Sequence, residues 1–262
     1  LRGGREAIRS NRCAASLMRE ALASAGLPED CISLVQDTSH ETANELMHLD
    51  GYVDVLIPRG GAGLIRAVAA EASVPVIRTG EGVCHIYVDD EADLDMAASI
   101  LLNAKCSRPS VCNAVECVLI HRDVERTFLE KAVPLLDAYH VELRCDPEAL
   151  ALVGDRGIPA AEGDWDAEYD DYILAVKTVG DMDEAIDFIN AHGTQHSESI
   201  ITRNYFKAQH FLDRVDAAAV YVNASTRFTD GGEFGLGAEI GISTQKMHAR
   251  GPMGLEELTS CK

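Results

Sequence analysis

Apolar and polar residues follow two different spacings along this chain, and the two spacings take turns from one end to the other. In some stretches apolar residues recur every third or fourth position, which is typical of a helix with one buried face. In others they form short consecutive or alternating runs, which favour strands. Because the two kinds of segment alternate, the pattern predicts an α/β fold with a mostly parallel sheet and helices on its faces.

The first part of the chain contains predicted elements as far as Arg78. Its first helix begins at Ser10 or Asn11, either of which can cap it, and ends at Ala25 because Gly26 follows. Further helices are predicted over 41–47 and from the turn 58–61 to about residue 72, and strands over 31–35, 53–57 and 75–78. These segments predict a region of βαβ units.

A second region continues the alternation up to residue 223. Its predicted strands cover 85–88, 116–120, 172–179, 199–202 and 219–223, and its predicted helices cover 93–104, 123–138, 182–191 and 205–213. This region therefore predicts a second lobe with the same architecture.

Charge narrows the classes of partner. The chain has 262 residues, 47% of them apolar, and a formal net charge of −20. Such an excess of carboxylates would repel nucleic acid and anionic membrane surfaces, so neither is expected as a partner. An anionic ligand would need a local basic pocket. No apolar run reaches the ~20 residues that a membrane span needs.

The eight cysteines form no C-x-x-C pair, and the chain shows no secretory signal peptide. We therefore expect reduced thiols in a cytoplasmic protein. The histidines show no metal-ligand spacing, so no metal site is expected. The chain begins at Leu1 without an initiator methionine, and we expect it to be part of a longer polypeptide, truncated at both ends.

One cysteine lies where chemistry is expected. Cys112 follows a predicted helix and precedes a predicted strand, in a polar loop that contains Arg108 and comes soon after Lys105. These two cations and the nearby backbone amides would stabilise its thiolate, which is the nucleophilic form of the side chain. The alternative is an inert loop thiol. Cys106 and Cys117, at a helix end and on a strand, are expected to be packing residues.

Two glycine-rich turns are candidate phosphate sites. The first consists of Arg2, Gly3, Gly4 and Arg5, and the second contains Arg59, Gly60 and Gly61. In both, unhindered glycine amides and a helix N-terminus would meet an anion while arginine supplies positive charge. Together they predict a dinucleotide site, and the alternative for each is a simple tight turn.

A long glycine-rich segment, 223–239, follows the last predicted strand. Long loops on α/β sheets usually serve sites. The polar side chains of this one, Asn223, Ser225 and Arg227 among them, suit recognition of a small polar substrate. The alternative is a surface Ω-loop.

Several segments resemble one family. They are residues 57–64, 82–89, the Cys112 loop 108–114, and 222–258, which includes the run from His248 to Leu255. These segments are similar to those of the γ-glutamyl phosphate reductases, or glutamate-5-semialdehyde dehydrogenases, of the aldehyde dehydrogenase superfamily. The resemblance implies an aldehyde-dehydrogenase-like α/β fold with two Rossmann-like parallel-sheet lobes, of which the first is incomplete.

The resemblance also implies a division into domains. Residues 1–82 would be the C-terminal part of an NADP-binding domain, and residues 83–247 the catalytic domain that carries the nucleophilic cysteine. Residues 248–262 would return toward the cofactor and oligomerisation region.

A reaction follows from the same resemblance. Cys112 would attack the acyl phosphate of L-glutamyl 5-phosphate, expel phosphate and form a thioester, which hydride from NADPH reduces to L-glutamate 5-semialdehyde in proline biosynthesis. The Cys112 backbone amide would be one oxyanion donor. A glutamate 5-kinase as partner or fused domain, and a homo-oligomer when full length, are implied as well.

Cofactor residues are assigned by position in the family. Arg2 and Arg5 stand where the superfamily holds the adenosine side of the cofactor, and a cation there favours the 2′-phosphate of NADPH. Glu168 matches the acidic residue that contacts the nicotinamide ribose. The alternative for Glu168 is a solvated carboxylate.

Substrate residues are assigned around the nucleophile and in the long loop. Asn113 and Asn223 are candidates, and Ser225 and Arg227 are expected at the α-carboxylate end of the substrate. The alternative for Arg227 is a contact that pins the loop through a carboxylate such as Asp230.

Thr79 matches the position where a hydrolytic aldehyde dehydrogenase carries the carboxylate that activates water. Its side chain cannot serve as that base, which favours the reductase, although a shift in alignment would bring Glu81 to the position. Two further functions stay open, namely a non-catalytic interaction module and a cysteine acyltransferase or hydrolase. The latter would need a histidine base beside Cys112.

Overall fold

The computed structural model of the chain describes residues 1–247 and 249–259. It divides into two compact units, Leu1–Ile77 and Arg78–Lys262. The boundary follows Ile77, whereas the family resemblance placed a domain boundary after Gly82, and the roles assigned to the domains stay predictions. No helix within the described ranges is long and apolar enough to cross a bilayer.

The first unit consists mainly of helices and their connections. Its helices are α1 (Ile8–Ser24), α2 (His40–Met47) and α3 (Ala62–Glu71), with 3₁₀ turns at Arg5–Ala7 and Glu29–Cys31. Helix α1 stops where Gly26 takes a positive φ of 73°, which lets the Leu27 N–H donate to the Leu22 carbonyl at 2.9 Å. Helix α2 is capped by Ser39, whose Oγ accepts the Thr42 N–H at 3.2 Å. The predicted helices of this unit are confirmed.

The strands predicted over 31–35, 53–57 and 75–78 are wrong as strands. An isolated parallel bridge joins Leu56 to Val76, with the Leu56 N–H donating to the Pro75 carbonyl at 2.8 Å. The segment 31–35 is joined to the chain start by a bond from the Val35 N–H to the Leu1 carbonyl at 2.8 Å. Within the described residues, each of these segments pairs with its neighbour at one residue only. A ladder that short does not form a stable strand pair.

The second unit is built on a parallel sheet of seven strands. They are β1 (Cys84–Val88), β2 (Val115–His121), β3 (Glu142–Cys145), β4 (Gly157–Pro159), β5 (Ile173–Val179), β6 (Ser197–Ile201) and β7 (Ala219–Val222). Their order across the sheet is β4-β3-β5-β2-β1-β6-β7, and every pairing is parallel. The predicted α/β fold with a mostly parallel sheet is confirmed.

Helices cover both faces of this sheet. They are α4 (Leu94–Cys106), α5 (Arg122–Asp137), α6 (Pro147–Val153), α7 (Met182–His192) and α8 (Tyr205–Arg214). Ile86 of β1 belongs to a core cluster with Leu101 of α4 and Phe128 of α5, whereas its neighbour Tyr87 belongs to a cluster with Ile186 of α7. Successive side chains of a strand point to opposite faces, so β1 packs apolar side chains on both faces and is completely buried.

Strands β3 and β4 and helix α6 have no counterpart among the predicted elements. They have 4, 3 and 7 residues, which is too short for an apolar period to show. Helix α6 does carry a local signal. Asp146 caps it by accepting the Ala149 N–H at 2.8 Å, and Pro147 occupies its first turn, where proline is favoured.

A small antiparallel pair completes the second unit. It consists of β8 (Ile242–Ser243) and β9 (Gly251–Pro252), and Ser243 also forms a bridge with Thr79. His248 and residues 260–262, which belong to the segment predicted to return toward the cofactor, lie outside the described residues.

Candidate active site

Cys112 lies in the loop 107–114, between the end of α4 and the start of β2. Asp93 caps the start of α4 by accepting the Met96 N–H at 3.2 Å, and the loop closes with a bond from the Ala114 N–H to the Val111 carbonyl at 2.8 Å. The residue is half-buried. Because the loop leads into β2, the candidate nucleophile lies at the amino-terminal edge of the parallel sheet.

The segment that leads into β1 holds the backbone of Cys112. The Cys84 thiol donates to the Cys112 carbonyl oxygen at 3.2 Å. A Cβ atom at Gly82 would lie 1.4 Å from the same oxygen, so a residue with a side chain does not fit at position 82. These two contacts, which the sequence alone did not indicate, determine where the Cys112 main chain can lie.

Glu168 is anchored beside this contact. The Gly82 N–H donates to Glu168 Oε1 at 2.8 Å, and partial burial raises the pKa of the Glu168 carboxyl group. The predicted ribose ligand is therefore attached to a residue that touches the nucleophile loop. Its contact with a cofactor stays a prediction.

The other described cysteines of the second unit are buried. They are Cys84, Cys106, Cys117 and Cys145. Burial raises the pKa of Cys84 well above its usual range, that of Cys106 to about 11 and that of Cys145 to about 12. A thiol that stays protonated is a poor nucleophile. The prediction that Cys106 and Cys117 are packing residues is confirmed, and Cys112 is the accessible thiol among those described in this unit.

Asn113 ties the nucleophile loop to the segment 226–229. Its side-chain Nδ2 donates to the Thr229 carbonyl at 2.8 Å, and its own carbonyl accepts the Thr226 hydroxyl at 2.7 Å. Arg227 donates from Nη1 to Asn113 Oδ1. Two of the predicted substrate residues, Asn113 and Arg227, are therefore in direct contact next to Cys112.

Ser225 and Asn223 organise the backbone of the long loop. Ser225 is buried, and its Oγ accepts the Arg227 N–H at 3.3 Å. Asn223 has a positive φ of 56°, and its side-chain amide pairs with both the N–H and the carbonyl of Thr202, at 3.0 and 2.9 Å. Ser225 thus serves the loop itself and Asn223 attaches the start of the loop to Thr202, and their contacts with substrate stay predictions.

The alternative contact between Arg227 and Asp230 is wrong. Asp230 accepts the backbone N–H of Gly232 at 2.8 Å, and Arg227 instead donates from Nε to the Ser107 hydroxyl at 3.3 Å, in addition to its contact with Asn113. The reason is local, because an aspartate in a turn readily accepts the backbone amide two residues on.

The Thr229 hydroxyl belongs to a buried chain of hydrogen bonds. His196 Nδ1 lies 2.8 Å from Ser197 Oγ, which donates to Thr229 Oγ1 at 2.7 Å, and the Tyr221 hydroxyl lies 2.8 Å from the same Thr229 oxygen. Burial lowers the pKa of His196 to about 4, so its ring is neutral near pH 7. This chain fixes Thr229 and, through it, Asn113. No spacing in the sequence indicates it, because Ser197 and Tyr221 lie on two different strands and Thr229 lies in the loop that follows them.

Lys105, one of the two cations expected to stabilise the Cys112 thiolate, forms a buried ion pair. Its Nζ donates to Glu116 Oε2 at 2.6 Å, and both side chains are buried. Burial raises the pKa of Glu116 to about 7 and lowers the pKa of Lys105. A buried ammonium group must be paired, and Glu116 is the partner of Lys105; the expectation that Lys105 stabilises the Cys112 thiolate stays a prediction. Arg108, which is exposed, is the cation of the loop itself.

Replacing Lys105 with methionine should lower the free energy of unfolding, because it leaves the buried Glu116 carboxylate without its partner. The pKa of Glu116 is about 7 even beside Lys105, and it rises further when the partner is lost. The native state then binds more protons than the unfolded chain above the unfolded pKa of about 4.3, so the free energy of unfolding falls as pH rises. We expect Lys105→Met to lose about 3–5 kcal/mol at pH 8 and less at pH 5, measured by urea unfolding.

The control for this variant is Lys131→Met, which breaks an exposed pair with Asp95 and should cost less than about 1 kcal/mol at either pH. Adding Glu116→Gln to Lys105→Met should remove the extra pH dependence. An equal loss for Lys105→Met at pH 5 and pH 8 would contradict the assignment of that loss to the Glu116 charge.

The acidic residues Asp89, Asp90 and Glu91 bring their carboxylates together after β1. Lys207 Nζ reaches all three, lying 3.2 Å from Asp89 Oδ1 and 3.2 Å from Glu91 Oε1 and also in contact with Asp90. The ammonium group of Lys207 therefore occupies the centre of this cluster and balances part of its charge.

Part of the first predicted phosphate turn is in contact with other residues of the first unit. Arg2 donates from Nη2 to the Thr38 carbonyl at 3.0 Å, and a Cβ atom at Gly3 would lie 1.9 Å from the Asn11 side chain. Gly4 precedes the 3₁₀ turn that Arg5 begins. The Arg5 side chain is different, since it is exposed and has no hydrogen-bond or ion-pair partner within the described residues.

The second predicted phosphate turn leads directly into α3. Gly60 takes a positive φ of 152° and Gly61 caps the helix. The Leu64 N–H donates to the Gly61 carbonyl at 2.9 Å, so the N–H groups of residues 62 and 63 are the ones left without an acceptor in the helix. Arg59 is exposed and, like Arg5, lacks a polar partner in the part of the chain that the structure describes. The turn has the form of an anion site, and its use stays a prediction.

Comparison with known proteins identifies relatives of this chain. The model of the aldehyde dehydrogenase family matches residues 9–150 and 172–262. The γ-glutamyl phosphate reductases of Clostridium perfringens (strain 13 / Type A) and Enterococcus faecalis (strain ATCC 700802 / V583) are each 60% identical over 262 residues, covering 100% of this chain and 63% of the relative. The chain therefore spans about 63% of the length of these relatives.

Solved structures agree at two levels of similarity. The crystal structure of γ-glutamyl phosphate reductase from Thermotoga maritima superimposes with a TM-score of 0.94 at 50% identity, covering 99% of this chain and 63% of that one. An acetylating aldehyde dehydrogenase from Geobacillus thermoglucosidasius gives a TM-score of 0.69 at 20% identity, covering 88% of this chain and 59% of that one. The second likeness concerns the fold alone.

Proposed function

Since this chain belongs to the aldehyde dehydrogenase family, we propose that it forms the nucleophile-bearing part of a γ-glutamyl phosphate reductase. The reaction is the NADPH-dependent reduction of L-glutamyl 5-phosphate to L-glutamate 5-semialdehyde and phosphate, in proline biosynthesis. The observation that carries the proposal is the accessible Cys112 on a backbone held by Gly82 and Cys84, in a chain 60% identical over its whole length to proteins of that name.

The chemistry begins at the Cys112 sulfur. Its thiolate forms a bond to the γ-carbonyl carbon of the acyl phosphate, the bond from that carbon to the phosphate oxygen breaks, and phosphate leaves with the electron pair. The oxyanion that forms on the way needs donors, and the Cys112 backbone N–H is one. The product of this half-reaction is a thioester on Cys112.

The second half-reaction restores the thiolate. Hydride for the thioester carbonyl is the chemistry that bound NADPH supplies, so one acyl phosphate, one NADPH and one proton give one aldehyde, one phosphate and one NADP⁺. Cys112 leaves when its bond to the substrate carbon breaks. The same backbone N–H stabilises the negative oxygen in both half-reactions, which is why a fixed Cys112 main chain matters.

The residue at the position of the hydrolytic base favours a reductase over a hydrolytic dehydrogenase. Thr79, which stands where the hydrolytic enzymes carry a base, is buried, and its hydroxyl does not accept a proton from water near pH 7. The Glu168 carboxylate, which contacts the segment beside the nucleophile loop, accepts the Gly82 N–H. A thioester that water does not attack remains available for reduction.

Phosphate dependence tests the proposed function in the complete protein. We expect NADPH formation from glutamate semialdehyde and NADP⁺ to require inorganic phosphate, because the thioester has to be transferred to phosphate in the reverse direction. Turnover that proceeds equally well without phosphate would establish the hydrolytic dehydrogenase instead. Absence of turnover with a well-folded, NADP-binding protein would favour the non-catalytic interaction module.

The first unit supplies residues that fit an anionic dinucleotide. Arg5 and Arg59 present guanidinium groups without partners among the described residues, and Gly60 and Gly61 open the N-terminus of α3. We propose that Arg59, Gly60 and Gly61 hold a phosphate of the cofactor, that Arg5 binds the 2′-phosphate of NADPH, and that Arg2, Gly3 and Gly4 shape the turn before it. Glu168 is proposed for the nicotinamide ribose.

Cofactor preference should depend on Arg5. We expect Arg5→Glu to weaken the binding of NADPH at least about tenfold more than the binding of NADH. Only NADPH carries a 2′-phosphate, so only its binding loses a charge-assisted hydrogen bond. The matched variant Arg59→Ala should weaken both cofactors alike. Dissociation constants from fluorescence titration of each cofactor measure the difference, and equal losses for the two cofactors in Arg5→Glu would refute the 2′-phosphate role.

The proposed substrate is a small molecule, and the proposed partner, oligomeric state and location are those that the family resemblance implies. A glutamate 5-kinase as partner or fused domain, a homo-oligomer of the full-length protein and a cytoplasmic location stay predictions of the resemblance.

A further inference from the structure

Arg227 is held beside the nucleophile by neutral groups. Its Nε donates to the Ser107 hydroxyl at 3.3 Å, and its Nη1 donates to Asn113 Oδ1. No carboxylate of the described residues lies within 4.0 Å of its guanidinium group. The positive charge of Arg227 is therefore placed by hydrogen bonds but not neutralised by them.

Arg227 keeps its charge without a carboxylate partner among the described residues, although the chain is strongly acidic. The chain carries 43 acidic and 23 basic residues, and other arginines of the second unit, such as Arg122, Arg144 and Arg203, pair with carboxylates. An arginine kept free of carboxylates beside a nucleophile retains its full charge for an anionic ligand. The position of Arg227 beside the nucleophile and the two neutral groups that orient it therefore fit such a ligand.

The partners of Arg227 also indicate which end of a substrate it faces. Ser107 is the first residue after α4 and Asn113 directly follows Cys112, so both anchors belong to the short loop that carries the nucleophile. The α-carboxylate of a glutamyl substrate is separated from the reacting carbon by the rest of the amino-acid chain. The anion that is attached directly to the reacting carbon is the phosphate.

We propose that Arg227 binds the phosphate group that Cys112 displaces, rather than the α-carboxylate expected from the sequence. This inference rests on the proposed function. As the bond between the acyl carbon and the phosphate oxygen breaks, negative charge grows on the departing phosphate, and a planar guanidinium group can donate two parallel hydrogen bonds to it. Asn113 and Ser107 orient the guanidinium group through the bonds described above.

The reverse reaction separates the two ligands experimentally, because phosphate and semialdehyde are then independent substrates with their own KM values. We expect Arg227→Gln in the complete protein to raise the KM for inorganic phosphate at least about tenfold and to leave the KM for glutamate semialdehyde within about threefold. Arg227→Lys, which keeps the charge without the planar fork, should fall between the parent and Arg227→Gln. Arg214→Gln, on the last turn of α8, is the control and should match the parent.

Three results would overturn the phosphate assignment. A raised KM for semialdehyde with an unchanged KM for phosphate would place the α-carboxylate at Arg227. Equal increases in both KM values would make Arg227 a structural residue of the loop. Parent-like values for both substrates would show that Arg227 binds neither.

A second measurement does not depend on turnover. Inorganic phosphate should slow the alkylation of Cys112 by iodoacetamide in the parent protein, followed by mass spectrometry, and should not do so in Arg227→Gln. If the parent shows no phosphate-dependent turnover, the proposed function fails, whereas protection by phosphate in the parent alone would still locate the anion at Arg227. Equal protection in both proteins would reject the site even if the enzyme is active.

Discussion

Cys112→Ser should abolish the reductase activity of the complete protein, lowering kcat at least about a thousandfold. A serine hydroxyl is a weak nucleophile unless a base removes its proton, and His196, which is bonded to Ser197 in the buried chain, is a weak base because burial lowers its pKa to about 4. The change replaces one atom on a half-buried side chain, so folding and cofactor binding should be unaffected. Steady-state turnover with glutamate semialdehyde, phosphate and NADP⁺ measures the effect.

Cys106→Ala is the matched control for this variant. Cys106 is buried at the end of α4, in the core cluster below the loop, so its loss should cost stability through packing and leave kcat nearly unchanged. Retention of turnover in Cys112→Ser to within about tenfold of the parent would remove Cys112 from the mechanism. If turnover collapsed in Cys106→Ala and not in Cys112→Ser, the nucleophile would be Cys106 rather than Cys112.

Gly82→Ala should have the second largest effect. The new Cβ atom would lie 1.4 Å from the Cys112 carbonyl oxygen, 2.3 Å from its carbonyl carbon and 2.7 Å from its Cα. Backbone atoms cannot yield by a rotamer change, so the nucleophile loop or the segment before β1 must move. Since a misplacement of about 1 Å can cost about a hundredfold in rate, we expect kcat to fall at least about a hundredfold.

The control for this change is Gly163→Ala, where a Cβ atom would have no heavy atom within 4 Å. It should leave turnover unchanged. Thermal unfolding of Gly82→Ala, where overpacking typically costs about 1–3 kcal/mol, separates loss of activity from loss of fold. A folded Gly82→Ala protein with kcat within about threefold of the parent would show that the loop tolerates displacement and that its fixed backbone is not needed.

Local apolar patterns were sufficient for most of the second unit. Strand β1 and helix α4 agree closely with their predicted ranges because the strand is buried on both faces and the helix packs one face on it. The short elements β3, α6 and β4 were not predictable in the same way, since each is shorter than the period that would reveal it. Their existence depends on β5, which pairs with β3 and extends the sheet.

The first unit shows the opposite failure. The segments around Leu56 and Val76 have strand-like composition, yet the structure pairs them at one bridge. A strand is stabilised by its neighbours rather than by its own residues, so composition predicted elements that the described contacts do not support. The helices of the same unit were predictable, because a helix satisfies its hydrogen bonds within one segment.

The candidate nucleophile could be found without coordinates, because a polar loop between a helix and a strand, and its likeness to one family, are both contained in a short stretch around Cys112. What surrounds it could not. The Cys84 thiol comes from 28 positions earlier in the chain and the Thr229 carbonyl from 116 positions beyond Asn113, and they meet the loop only after the strands assemble. Lys105 makes the same point, since its place in the sequence does not indicate that folding buries it next to Glu116. A single chain can record which side chains are reactive, but burial, charge pairing and close backbone contact are properties of residues brought together by folding.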